Sequence, residues 1–145
     1  MTLYADTSVL LPYYREGPAS AVVESLFIEQ STPVVISEFA RVAFASALAR
    51  WVRTGELNEP QANRVESAFH DDVTEGRFQV LPVTSDMFQR ANHWLLTRRT
   101  ALRTLDSLQL ACAEASESDF VTLDDDLFEA AEYLGIPTHR IFAPD

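Results

Sequence analysis

The apolar residues of this chain form short uninterrupted runs separated by longer stretches of helical period, and each run ends on a polar or turn-forming residue. TLYAD, residues 2–6, predicts a short buried strand that ends on an acid, and TSVLLPYY predicts a helix with a hydroxyl cap at Thr7 or Ser8, broken by Gly17 and Pro18. PASAVVESLFIEQ keeps a 3.6-residue period through Val22, Leu26 and Val23, Phe27, and TPVVIS at 32–37 is the next strand. From an N-cap at Ser37 a helix runs to about Thr54, with Phe39, Val42, Ala43, Ala47 and Trp51 as its apolar face and Gly55 as its stop. A more polar helix over 59–75, a third strand in FQVLPV at 78–83 and a helix capped by Thr84 or Ser85 and running through Trp94 and Leu96 follow. A further helix from about Ala101 precedes a fourth strand, DFVTL at 119–123, a helix in DDDLFEAAEYLG closed by Gly135, and HRIFA at 139–143 as a candidate fifth strand.

Strands that alternate with helices, without an Asn-Gly hairpin signal, predict the α/β class: right-handed crossovers and a parallel sheet of four to five strands covered by helices on both faces. With 145 residues, 47% of them hydrophobic, the chain reads as a single domain over 1–145 with a continuous core.

One acid breaks the pattern. In LRTLDSLQLACA, Asp106 stands at helical spacing from Leu102, Leu110 and Ala113, where an apolar side chain is expected. An isolated buried carboxylate is costly, so either Asp106 reaches solvent or a partner meets it in a cleft. Three more acids fall where a parallel sheet gathers its ligands, beyond the carboxyl ends of strands: Asp6 after the first, Glu38 after the second and Asp124 after the fourth. Taken singly, Glu38 and Asp124 read as helix caps and Asp6 as a surface acid. Four carboxylates converging on one cleft would repel one another unless a divalent cation neutralised them, and an oxygen-only set without clustered His or Cys suits Mg²⁺ or Mn²⁺. Such sites hydrolyse phosphodiesters by activating a water.

Charge narrows the choice. The formal net charge of -11 argues against a generic nucleic-acid coat, so any grip on phosphate must be local. All 11 basic residues are arginine, and Arg90, Arg98, Arg99 and Arg103 lie just before Asp106, where forked guanidinium groups suit phosphate; a solvated helix end is the alternative reading of the same cluster. His70, His93 and His139 are dispersed, and the single cysteine, Cys112, sits among apolar residues as a buried thiol. Trp51, Trp94, Phe39, Phe44 and Phe69 have spacings that suit core or dimer packing. The start MTLYADTSVLL has no charged region before an apolar run, and no apolar segment approaches the length of a membrane span, which gives a cytoplasmic expectation.

YADTSVL, ISEFA, LRTLDSLQLA and FVTLDDDL, in that order, resemble the four acidic motifs of PIN-domain ribonucleases, and more narrowly of VapC-type toxins of type II toxin-antitoxin systems, over nearly the whole chain from Thr2 to Phe142. The resemblance implies a PIN-like α/β/α sandwich and a Mg²⁺- or Mn²⁺-dependent endoribonuclease whose metal-binding and catalytic acids are Asp6, Glu38, Asp106 and Asp124. It places the hydroxyls of Ser8 and Thr122 beside them, orienting carboxylates or a water, and gives Asp126 an outer or occasional ligand role; Asp125, in a first helical turn where acids favour the positive end of the dipole, reads as solvent-exposed. Arg98, Arg99 and Arg103 would hold RNA. The implied partners are an RNA substrate, a VapB-type antitoxin with a basic tail and a second copy of the chain, its contact sought on the early helices; no membrane is implied. Gln109 departs from the family, which often carries His or a similar residue there.

Two rivals fail on composition. Phosphoaspartyl enzymes place a lysine on the phosphate and P-loop enzymes need GK[ST], and this chain contains no lysine. A non-catalytic PIN-like module binding RNA or protein, and a general RNA-processing nuclease without an antitoxin, stay open.

Overall fold

The computed structural model describes residues 2–144 as one parallel sheet between two helical layers. The strands are β1 (Leu3–Ala5), β2 (Val34–Ser37), β3 (Phe78–Leu81) and β4 (Asp119–Val121), in the order β3-β2-β1-β4 with every pairing parallel. The helices are α1 (Thr7–Tyr14), α2 (Ser20–Ile28), α3 (Glu38–Arg53), α4 (Glu59–Thr74), α5 (Ser85–Thr97), α6 (Thr104–Ala115) and α7 (Asp125–Tyr133).

Because successive strand residues face opposite ways, the sheet splits its side chains between two cores. Leu3, Ala5, Val34, Ile36, Phe78 and Val121 pack with α1, α2, α3 and α4, whereas Tyr4, Val35 and Phe120 pack with α5, α6 and α7. Burial on both faces explains why β1 and β2 read as continuous apolar runs rather than alternating ones. Among the buried aromatics, Phe44 lies 4.3 Å from Phe69 between ring centroids, with Tyr14 5.5 Å away, so these rings tie α1, α3 and α4 together. Trp94 is buried in the other core, while Trp51 and Phe39 are half-buried. Cys112 is a buried free thiol, as its apolar setting predicts.

The chain departs from the expected pattern in four places. HRIFA forms no strand: beyond a single bridge of Thr138 to Phe120, the ladder stops where Ile141 turns into the core and Arg140 stacks on Phe128 and Phe142, at 3.9 and 4.8 Å. The sheet therefore has four strands among the described residues. The buried face of α3 is Ala40, Phe44, Ala47 and Leu48; Val42, expected inside, is 67% exposed. α1 is capped by Asp6, whose side chain accepts the Val9 N–H, rather than by Thr7 or Ser8. Finally, α6 begins at Thr104, not Ala101, which moves Asp106 from mid-helix to the first turn.

Helix stops follow glycine as predicted. Gly55 and Gly135, at φ 81° and 76°, take the left-handed conformation that closes α3 and α7. Among the described residues no helix is long and apolar enough to cross a membrane.

Candidate metal centre

β1 is flanked by β2 on one side and β4 on the other, so the winding of the sheet reverses between β1 and β4. At such a reversal the loops leaving neighbouring strands diverge and open a crevice at the carboxyl edge. Asp6 follows β1 at that edge, and Thr122 and Asp124 follow β4.

Asp6 is 4% exposed, and every contact to its carboxylate comes from the edge itself. Oδ1 accepts the Ser8 hydroxyl at 2.7 Å and the Val9 N–H at 3.3 Å, and Oδ2 accepts the Thr122 hydroxyl at 2.7 Å. The two hydroxyls are 3.2 Å apart and also accept backbone N–H groups from the β4 loop, Ser8 from Leu123 at 2.9 Å and Thr122 from Asp124 at 3.1 Å. Ser8 and Thr122 thus sew the loops after β1 and β4 onto one carboxylate.

Burial lifts the Asp6 carboxyl from its ordinary 3.8 to about 6; the hydrogen bonds from Ser8, Thr122 and Val9 oppose the rise, and the charge of Asp106 adds to it. Asp106, with its side chain 25% exposed, is also raised, first by burial and then by the charge of Asp124, against the pull of the Arg103 guanidinium at 3.7 Å. Asp124 is half-buried and caps α7, its Oδ1 accepting the Leu127 N–H at 3.1 Å. The fold therefore brings Asp106, remote in sequence from both, within electrostatic reach of Asp6 and of Asp124.

Glu38 is not part of that group as placed. It opens α3 at the edge of β2, next to β1, but it is exposed, pairs with Arg41 at 3.6 Å and borders a groove of about 940 Å³ between α3 and α4, lined also by Val42, Leu48 and Val52. Asp126 is exposed in the first turn of α7, and Asp125 is exposed and paired with Arg140 at 3.3 Å. Among the described residues no three His, Cys, Asp or Glu side chains stand close enough to enclose a metal. The donor chemistry nevertheless fits a hard dication: carboxylate oxygens without nitrogen or sulfur, of which Asp6 and Asp106 are held toward protonation chiefly by burial.

Of the arginines before Asp106, Arg90 is committed to Glu114 at 2.8 Å and to the Trp94 ring at 4.9 Å. Arg98 and Arg99 are exposed and make no ion pair among the described residues, and Arg98 takes a left-handed φ of 55° at the end of α5, turning the RRTALR loop toward the start of α6. Arg103 is 83% exposed with only its pairing to Asp106.

A second polar cluster lies outside the expected site: the side chains of Tyr4, Ser37, Gln109 and Thr7 bond one another inside the fold. Its one visible trace was a glutamine within the apolar run LQLACA.

The sequence model of the PIN domain matches residues 3–133. Comparison with curated protein sequences gives no match. Several solved structures share the fold. The Mycobacterium tuberculosis VapC20, described as a sarcin-ricin loop cleaving toxin, has 15% identity and a TM-score of 0.71 over 96% of this chain and 99% of its own. FitAcB from Neisseria gonorrhoeae has 18% identity and a TM-score of 0.69 over 95% and 96%. VapBC2 from Rickettsia felis, solved with a DNA fragment from its promoter, has 13% identity and a TM-score of 0.66 over 99% and 100%.

Proposed function

The chain belongs to the PIN domain family, and from that premise we propose that it is a metal-dependent endoribonuclease acting as the toxin of a VapC-type toxin-antitoxin pair. The observation that carries the reading is the buried Asp6 carboxylate at the β1–β4 crevice, both of its oxygens held by Ser8 and Thr122, with the charge of Asp106 close enough to act on it and that of Asp124 close enough to act on Asp106. Buried like charges are unfavourable unless a cation joins them, and a fold that only needed stability would have no use for them.

Mg²⁺ or Mn²⁺, held by Asp6, Asp106 and Asp124, would supply a hydroxide at neutral pH and neutralise charge on a scissile phosphate. Glu38 would join after releasing Arg41, an exposed pairing worth at most about 1 kcal/mol. Ser8 and Thr122 fix both Asp6 oxygens, so that carboxylate enters the site already oriented. Asp126 remains an outer or occasional ligand. Arg98, Arg99 and Arg103 would grip the RNA backbone beside Asp106, giving an acidic protein a local foothold on polyanion. An antitoxin with a basic segment would find complementary charge over most of this surface, and a second copy of the chain belongs to the same reading.

Purified protein incubated with mixed cellular RNA should yield discrete fragments with Mg²⁺ or Mn²⁺ and none with a chelator; intact RNA under both conditions would overturn the assignment. The arginines give a separate measurement. Replacing Arg98 and Arg99 together by Ala should weaken binding of a single-stranded oligoribonucleotide and flatten the dependence of log affinity on log salt by about 0.7 per lost phosphate contact. An unchanged slope in fluorescence anisotropy would remove them from the interface.

A further inference from the structure

Beneath the acids lies the buried polar cluster that RNA cleavage, as described, does not use. Tyr4 precedes Asp6 by two residues in β1; its hydroxyl donates to the side-chain carbonyl of Gln109 and meets Ser37 Oγ at 3.0 Å. Gln109 follows Asp106 by three residues, roughly one turn of α6, and its amide nitrogen donates to Thr7 Oγ1 at 3.1 Å. Ser37 accepts the Ala40 N–H at 3.2 Å and immediately precedes Glu38. Each of Asp6, Glu38 and Asp106 therefore has a member of one hydrogen-bonded chain within three positions of it.

An apolar residue at 109 would fill the space between Leu108 and Leu110 without desolvating an amide. What the amide adds is direction: one end only accepts and the other only donates, so bonds to Tyr4 and Thr7 are made together in a single rotation of α6. Turning the helix by one residue moves a side chain by about 100°, which would carry Asp106 away from Asp6. α6 has no side-chain cap at Arg103 and is buried on all sides from Ser107 to Ala113, so its rotation rests on packing and on polar ties, of which Arg90–Glu114 joins it to α5 and Gln109 joins it to β1 and α1.

We propose that Gln109 and Tyr4 are positioning residues that fix the rotation of α6 against β1 and thereby hold Asp106 opposite Asp6 for the metal, an inference that rests on the proposed nuclease reading. Their action is through the acids rather than on RNA.

The test is titration of the full chain with Mn²⁺ alone, following the signal of the free ion by electron paramagnetic resonance, alongside metal-free melting curves. Gln109→Met keeps the length of the side chain and removes both polar ends; Tyr4→Phe removes one oxygen. Each should weaken Mn²⁺ binding by about tenfold or more, the range seen when partners of metal ligands are removed, and the double variant should lose little beyond either single one because both break the same chain. Mn²⁺ affinity equal to the parent's in these variants, whatever their melting temperatures, would overturn the positioning role and leave a purely structural cluster. If Gln109→Met does not fold, Tyr4→Phe decides alone. A parent that takes up no Mn²⁺ and cuts no RNA overturns the nuclease reading and this inference together, whereas a parent that does both while the variants match it overturns only this inference.

Discussion

Asp6→Asn is expected to abolish RNA cleavage and, in the same metal-free protein, to raise the melting temperature. Loss of an outer partner already costs metal sites up to about 100-fold, so loss of a carboxylate that itself meets the ion should cost more. The gain in stability has a separate origin. The Asp6 carboxyl titrates at about 6 in the fold against 3.8 in an ordinary peptide, so between those values the native state holds a proton that the unfolded chain has released. Native stability from this group is intact below about pH 3.8, declines as pH rises through about 6, and is then lower by about 3 kcal/mol. Asn carries no charge to desolvate; with its Oδ1 still accepting from Ser8 and Val9, its amide nitrogen takes the place of Oδ2 and the Thr122 hydroxyl turns to accept from it. Above pH 6 the variant should melt higher by up to roughly 10 °C, with a flatter pH profile than the parent over the range from about pH 4.5 to 8. Mn²⁺ should narrow the gap by stabilising the parent alone, since a ligand adds stability only to the state that binds it. Calorimetry showing equal melting temperatures and parallel pH profiles would remove the strain assigned to Asp6, and full cleavage by the variant would remove its catalytic role.

The second large effect lies away from the acids. Phe44→Ala should lower stability by about 3–5 kcal/mol, because its ring is 2% exposed and its contacts with Phe69 and Tyr14 leave a cavity that α1, α3 and α4 cannot close. Against a total stability of about 5–15 kcal/mol for a domain, that is a substantial share. Urea unfolding would read it as a lower midpoint at unchanged slope; a loss under about 1 kcal/mol would mean that the three helices collapse onto the gap.

β1 and β2 were legible because burial on both faces makes them short apolar runs, and all four strands because acids, glycines and prolines bound them. The face of α3 was not. Alanines at 40, 43, 45, 47 and 49 distribute small apolar surface around the helix, so periodicity alone could not place Phe44 inside and Val42 outside. Asp6 was legible as an acid ending a strand, yet its capping of α1 was masked by Thr7 and Ser8, which are equally good caps by type. The puzzle of Asp106 had its answer in a helix start three residues later than expected, which places the acid at the boundary between solvent and interior. The pairing of Tyr4 with Gln109 spans 105 positions and left no periodic trace, since polar side chains that satisfy one another in space carry no common spacing in sequence.

The bond from Thr122 to Asp6 spans 116 positions, and β1 obtains one of its two neighbouring strands only from β4. A polypeptide that ended short of β4 would lack both that bond and that strand pairing, and its crevice would be unfinished. Closing the crevice therefore requires segments 116 positions apart to meet, a non-local pairing that costs more chain entropy than the contacts among α1 to α4.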